Sequence, residues 1–154
     1  MLAKLLLSHN IKLKVEAVSW QDAIQKGGEL LVTSGIAEEQ YIDAMVNAVN
    51  QFGPYFVLVP GVAMPHANSD SGTIKTGFSL ITLKEPLDFM DSANNPVSII
   101  ICFAAINQDF HLAALQSLAQ LLSNQEDLRM IREAYDIKEV LEIIKKYDLK
   151  EESE

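Results

Sequence analysis

Basic residues are few and scattered in this sequence. Lysine and arginine total 12 against 21 aspartates and glutamates, a formal net charge of −9. No Lys/Arg cluster stands out, which argues against nucleic acid and anionic membrane as partners. No apolar run reaches the length needed to span a bilayer. Met1 to Leu7 holds one lysine and a short apolar stretch without a small-residue cleavage site, so no signal peptide is expected. Cysteine is nearly absent. Cys102 stands alone, which excludes an intramolecular disulfide and suits a reducing compartment. These absences together predict a cytoplasmic protein.

Glycine (7) and proline (5) are also sparse, and there is no repeat, low-complexity segment or linker. What is present is ordinary globular material: 49% apolar residues in a chain of 154, enough for one domain with a real core. The pattern predicts that domain over 1–147. The last seven residues, Asp148 to Glu154, carry four acids and one lysine and are expected to form a frayed acidic tail.

Helical and strand periods are mixed along the chain. Leu2 to Leu7 reads as a short helix. Ile11 to Val18 alternates apolar and charged residues as a half-buried strand does. Ser19 is placed to cap a helix running to about Val32, with Asp22 in its first turn and Gly35 beyond its end. A second helix is expected from Ala37 to Gly53-Pro54. Tyr55 to Val59 reads as a strand, Gly61 to Gly72 as a loop, and Thr76 to Leu83 as a strand followed by a turn-rich stretch from Lys84-Glu85-Pro86. Val97 to Ala104 is the most apolar segment and should be the central strand, with Cys102 as inert core filler. Three helices follow, over His111 to Leu122, Glu126 to Ala134 and Ile137 to Tyr147. Strands and helices in no strict βαβ order predict a mixed α/β fold, a three-layer α/β/α sandwich with a sheet of four to five strands.

Three histidines are the only groups with near-neutral pKa suited to nucleophile or base chemistry. His9, in Ser8-His9-Asn10, reads as a solvated surface residue. His66 ends Pro60-Gly61-Val62-Ala63-Met64-Pro65-His66, a stiffened loop directly after a strand, where functional groups concentrate. His111 opens the helix after the apolar strand. A histidine that carries a phosphoryl group needs one ring nitrogen protonated and held, and a lone pair on the other. Pro65 restricts the approach to His66. His111 at a helix start, and backbone amides around Ala67 and Asn68, could act as donors to a phosphoryl group. The bland readings are a turn at Pro65-His66 and a surface histidine at a helix start, and the residues alone leave both open. The histidines lack the spacing of common zinc ligands, so a metal site is a weaker reading still, and no Gly-rich phosphate loop or Ser-centred elbow is present.

Pro60-Gly61-Val62-Ala63-Met64-Pro65-His66 resembles the active-site signature of the mannitol/fructose-type enzyme IIA domains of the bacterial sugar phosphotransferase system. Asp109-Phe110-His111-Leu112-Ala113-Ala114-Leu115 resembles the segment that carries their second histidine. The resemblance extends over nearly the whole chain. One departure stands out: mannitol- and fructose-specific members carry an arginine on the second helix, where this chain has Val46-Asn47-Ala48-Val49-Asn50. The stretches Gln51-Phe52-Gly53-Pro54-Tyr55-Phe56-Val57 and Thr76-Gly77-Phe78-Ser79-Leu80-Ile81-Thr82-Leu83-Lys84 are similar to the ascorbate-specific subgroup.

The resemblance implies a phosphoryl relay. His66 would take the group from the phosphocarrier protein HPr and give it to a cysteine of an enzyme IIB. His111 would steady it, within a supporting loop of Pro65, Ala67 and Asn68. The membrane component IIC would be reached only indirectly, the sugar not touched at all, and no metal or organic cofactor required. A regulatory module phosphorylated at His66, or an enzyme IIA for another sugar or polyol, is the alternative. A hydrolase using His66 as base ranks last.

Overall fold

In the computed structural model, residues 2–152 are described, apart from the side chains of Phe110, His111 and residues 148–152. Six helices, α1 (Leu2–Leu5), α2 (Trp20–Thr33), α3 (Gln40–Phe52), α4 (Gln108–Leu122), α5 (Gln125–Glu133) and α6 (Ile137–Glu152), surround five strands. The strands are β1 (Ile11–Val15), β2 (Val57–Val59), β3 (Val62–Ala63), β4 (Gly77–Leu87) and β5 (Val97–Ala104). They lie in the order β1-β4-β5-β3-β2. β1 with β4 and β3 with β5 are parallel, whereas β4 with β5 and β2 with β3 are antiparallel. The mixed sheet matches the expectation from the sequence.

β5 is central, and all eight of its residues are buried. A strand covered on both faces reads as one continuous apolar run, and for that reason it was the clearest strand in the sequence. Its side chains alternate between two cores. Ile99, Ile101 and Phe103 pack with α1, α4, α5 and α6, while Ile100, Cys102 and Ala104 pack with α2 and α3. Helices therefore cover both faces, the third layer of the expected sandwich. α2 lies very close to the sheet: a β-carbon at Gly27 would stand 2.8 Å from the sulfur of Cys102. The Ser79 hydroxyl donates to the Gly27 carbonyl at 2.7 Å.

Ser19 caps α2 as its position suggests, its side chain accepting the Asp22 amide at 3.1 Å. Gly35, at φ +72°, follows the helix end. Several boundaries differ from the sequence pattern. β1 stops at Val15, next to Lys14 at φ +55°, and Val18 is 91% exposed. α3 begins at Gln40 because Ala37 bridges to Thr73 and the Glu38 amide donates to the Gly72 carbonyl. Gly53–Phe56 forms a 3₁₀ turn around Pro54, so β2 starts only at Val57.

β4 continues through Lys84-Glu85-Pro86 to Leu87, where the sequence suggests a turn. A register shift between Thr82 and Leu87 admits the proline, and Lys84, Glu85 and Pro86 are exposed. The expected loop from Gly61 to Gly72 contains β3 and a 3₁₀ turn at Ser69–Ser71. At its far end the chain remains helical through Glu152, past the Tyr147 boundary read from the sequence. Among the described residues no helix is long and apolar enough to cross a membrane.

Candidate functional site

Gly61 begins the segment that carries His66. At φ +82° it adopts a backbone conformation that favours glycine, and its carbonyl accepts from the amides of both Ser98 and Ile99. β3 then pairs Val62 with Ile99 and Ala63 with Ile100. The Met64 amide donates to the Phe56 carbonyl at 2.8 Å, and the Phe103 amide donates to the Pro65 carbonyl at 3.3 Å. Five residues after Gly61, His66 thus leaves the sheet on a backbone tied to β5 and to the Gly53–Phe56 turn.

The imidazole is half-buried, and Nδ1 lies 3.0 Å from the Met64 carbonyl oxygen. A carbonyl can only accept, so Nδ1 carries the ring proton and donates it. In the neutral ring the lone pair is then on Nε2. Two aromatic rings hold the plane: Phe56 at a centroid distance of 4.8 Å and 65°, and Phe103 at 4.7 Å and 36°. The first belongs to the core under α2 and α3, the second to the core on the opposite face.

Tyr41 on α3 is a further part of the site. Its ring is buried, its hydroxyl donates to the Phe103 carbonyl at 2.8 Å, and it accepts from the Ala67 amide at 3.0 Å. Burial pushes this hydroxyl up to about 12, against the opposing effect of its hydrogen bonding with Ala67. The sequence reading offered the amides around Ala67 and Asn68 as phosphoryl donors. For Ala67 this needs correction, since its amide is engaged by Tyr41. Asn68 is exposed, and its side-chain oxygen accepts the Asp70 amide at 3.3 Å, capping the Ser69–Ser71 turn.

These elements enclose an open cleft of about 590 Å³. His66, Ala67, Asn68 and Ser69 form one wall, Ala48 and Phe52 of α3 with Tyr55 and Phe56 another, and Asn107 and Gln108 the third. Gln108 is the first residue of α4, so the N-terminal end of that helix opens on the same cleft as His66. His111 lies in the first turn of α4 by its backbone, and its side chain falls outside the described residues. His9 stands apart on an exposed 3₁₀ turn. The wall from α3 is methyl and phenyl, and no lysine or arginine is among the described lining residues. Phe52 and Tyr55 at the rim are 62% and 77% exposed.

Among the described residues no group of three or more His, Cys, Asp or Glu side chains comes together to hold a metal ion. Cys102 lies in the core, where burial pushes its thiol up to about 12.

Tyr41, Phe56 and Phe103 were not read as site residues from the sequence. The one available signal was Tyr41 itself, a hydroxyl on the buried stripe of a helix, which needs a partner.

Residues 4–147 match the model of the phosphoenolpyruvate-dependent sugar phosphotransferase system EIIA 2 family. This chain belongs to that family. As an EIIA component it is a phosphoryl-transfer protein. It is 40% identical over 141 residues to the ascorbate-specific phosphotransferase EIIA component of Shigella dysenteriae, covering 91% of this chain and 92% of that protein. Among solved structures it is similar to the mannitol-specific cryptic phosphotransferase enzyme IIA of Escherichia coli (TM-score 0.84, 34% identity, covering 93% and 97% of the two chains). It is also similar to a chain in the complex of enzyme IIA-Mtl and phosphorylated enzyme IIB-Mtl from Escherichia coli (TM-score 0.81, 26% identity, covering 91% and 98%). An EIIA of this fold thus pairs with an enzyme IIB.

Proposed function

We propose that this EIIA component serves an ascorbate-type phosphotransferase system in the cytoplasm, and that His66 is its phosphorylated residue. The observation that carries this reading is the 3.0 Å hydrogen bond from His66 Nδ1 to the Met64 carbonyl, in a half-buried ring at the wall of an open cleft. HPr presents a phosphohistidine; the Nε2 lone pair of His66 attacks phosphorus in line, and the P–N bond to HPr breaks with its electrons returning to the donor ring.

Because Nδ1 keeps its proton, loading Nε2 places positive charge on the ring. The Met64 carbonyl, which accepts from Nδ1, offsets that charge. In the second step a cysteine thiolate of enzyme IIB attacks phosphorus, and His66 leaves as a neutral imidazole, a good leaving group. The membrane component is reached only through IIB, and this chain has no role in binding the sugar.

The site contributes position and charge stabilisation. Asn68, Ser69, Asn107 and Gln108 supply neutral polar groups around the cleft, where α3 offers no cation. His111 is the further donor we assign, on the strength of its place in the first turn of α4. The exposed Phe52 and Tyr55, which both line the cleft, form the apolar surface on which HPr and IIB dock in turn. Identity of 40% to an ascorbate-specific relative supports the substrate class of the system.

Incubation with phosphoenolpyruvate, enzyme I and HPr tests this directly. One acid-labile phosphate per chain is expected, and none in His66→Ala. Full labelling of that variant would overturn the assignment. Transfer onward to an ascorbate-system IIB should outpace transfer to a mannitol-type IIB, and the reverse order would remove the ascorbate assignment.

A further inference from the structure

We propose that the cavity at the opposite end of β3 from His66 is a binding site for a small molecule carrying an oxyanion, either phosphate or carboxylate. The cavity has a volume of about 300 Å³, with Pro60, Pro86 and Pro96 as walls and Gly61, Ser98 and Arg132 at its polar side. Among the described residues none lines both this cavity and the His66 cleft.

The chemistry at its polar side is made of donors. Arg132, on α5, is half-buried, and its Nε donates to the Ser98 hydroxyl at 2.6 Å. Ser98 is itself only 5% exposed. A guanidinium has five N–H donors and no acceptor, so this bond leaves four. The Ser98 oxygen receives the arginine's hydrogen, and its own O–H remains a donor. The guanidinium lies close to the chain: a β-carbon at Gly61 would stand 2.9 Å from Nη2.

The charge pattern points the same way. Lys26, Lys84, Arg129, Lys145 and Lys146 each have a carboxylate partner. Among the described residues no carboxylate pairs with Arg132, nor with Lys4, Lys12, Lys14, Lys75 or Lys138. Of these six only Lys14 and Arg132 are half-buried. Lys14 lies over the Tyr135 ring and donates to the Arg132 carbonyl, which leaves Arg132 as the half-buried cation facing this cavity. Holding a cation partly out of water without a counter-charge is unfavourable, and an anion entering the cavity relieves it. The planar fork of a guanidinium matches carboxylate and phosphate oxygens two at a time.

The remaining polar side chains are already engaged. Asn94 Nδ2 donates to the Val57 carbonyl, Asn95 Nδ2 to the Met90 carbonyl, and Asn95 Oδ1 accepts the Phe89 amide. They brace the wall. The volume is at the small end for ligand pockets, which selects a compact ligand over a nucleotide or a polymer.

The test is an NMR titration of the full chain with inorganic phosphate and, separately, with succinate. Saturable shifts are expected at the amides of Gly61 and Ser98 and at Arg132 Nε–H, from whichever anion the site takes. Arg132→Gln should weaken binding about tenfold or more, the loss of a charge-assisted bond. His66→Ala should leave it unchanged, so the outcome is independent of the relay reading. Shifts that fail to saturate with both anions, that persist in Arg132→Gln, or that are confined to the His66 cleft would overturn the proposal. If Arg132→Gln does not fold, Ser98→Ala takes its place: binding several-fold weaker supports the site, and unchanged binding counts against it.

Discussion

The Tyr41 hydroxyl accepts the amide hydrogen of Ala67, so a helix on one side of the sheet directly holds the residue that follows His66. The same oxygen donates to the Phe103 carbonyl, on the residue whose ring faces the imidazole. Tyr41→Phe should therefore do two things. Stability should fall by about 1–3 kcal/mol, from leaving an amide and a carbonyl without their partner. Phosphorylation of His66 should slow while HPr affinity is kept, because the ring is less well placed. Urea denaturation and the kcat-against-KM split of phosphoryl transfer check the two effects separately.

Phe52 is 62% exposed at the cleft rim, so its ring contributes little to the fold. Phe52→Asp should raise the KM for enzyme IIB by roughly tenfold if the rim is a docking surface. The urea midpoint should stay within about 0.5 kcal/mol of the parent. Equal KM values for parent and variant would remove this rim from the interface.

Asp127 provides a contrasting control. Its carboxylate is 5% exposed, accepts from Lys146 Nζ at 2.8 Å and from the Tyr147 hydroxyl, and so ties α5 to α6. Asp127→Ala should cost about 2–3 kcal/mol of stability, since a buried hydroxyl and a cation lose their acceptor. No described residue of α5 or α6 lines the His66 cleft, so the rate of phosphoryl acceptance should be unchanged at temperatures where the variant is folded.

Alkaline pH should destabilise the protein through two buried groups. Cys102 is raised from 9.0 and Tyr41 from 10.0, each to about 12, with burial the leading cause in both. Above pH 9 the unfolded chain loses protons that the native state retains, so the native state binds more and stability must fall with rising pH. The contribution is intact below pH 9 and declines between about 9 and 12, by at most about 1.4 kcal/mol per pH unit for each group. Unfolding free energies across that window test the slope, and Tyr41→Phe should make it shallower above pH 10. The Cys102 thiol should also resist aqueous thiol reagents until the chain unfolds.

Much of the fold was legible because burial leaves a strong mark on composition. β5 reads as a solid apolar run because both its faces are covered, and α2 is announced by Ser19 and closed before Gly35. β3 was illegible for the opposite reason. Two residues, Val62 and Ala63, cannot display a period, and their strand character comes from Ile99 and Ile100, far along the chain. Pro86 misled in another way: a proline suggests a break, but here the register slips around it and the strand continues.

The site divides in the same manner. His66 stood out through its local motif, and the helix start bearing His111 through its place after β5. What holds the imidazole did not stand out, because the Met64 carbonyl is backbone, Phe56 and Phe103 look like ordinary core, and the Tyr41 bond spans 26 residues. The cleft wall at Ala48 agrees with the missing basic residue in Val46-Asn47-Ala48-Val49-Asn50. A substitution by a small apolar residue is visible in sequence; its effect on the polarity of the wall is visible only in three dimensions.

Phe56 and Phe103 come from opposite sides of the sheet and meet the imidazole together. The reactive ring is therefore the place where two separately packed halves of the molecule must agree. Loosening either half would alter the tilt of that ring before it cost the protein its shape, so functional drift should precede loss of structure when distant positions on either side mutate.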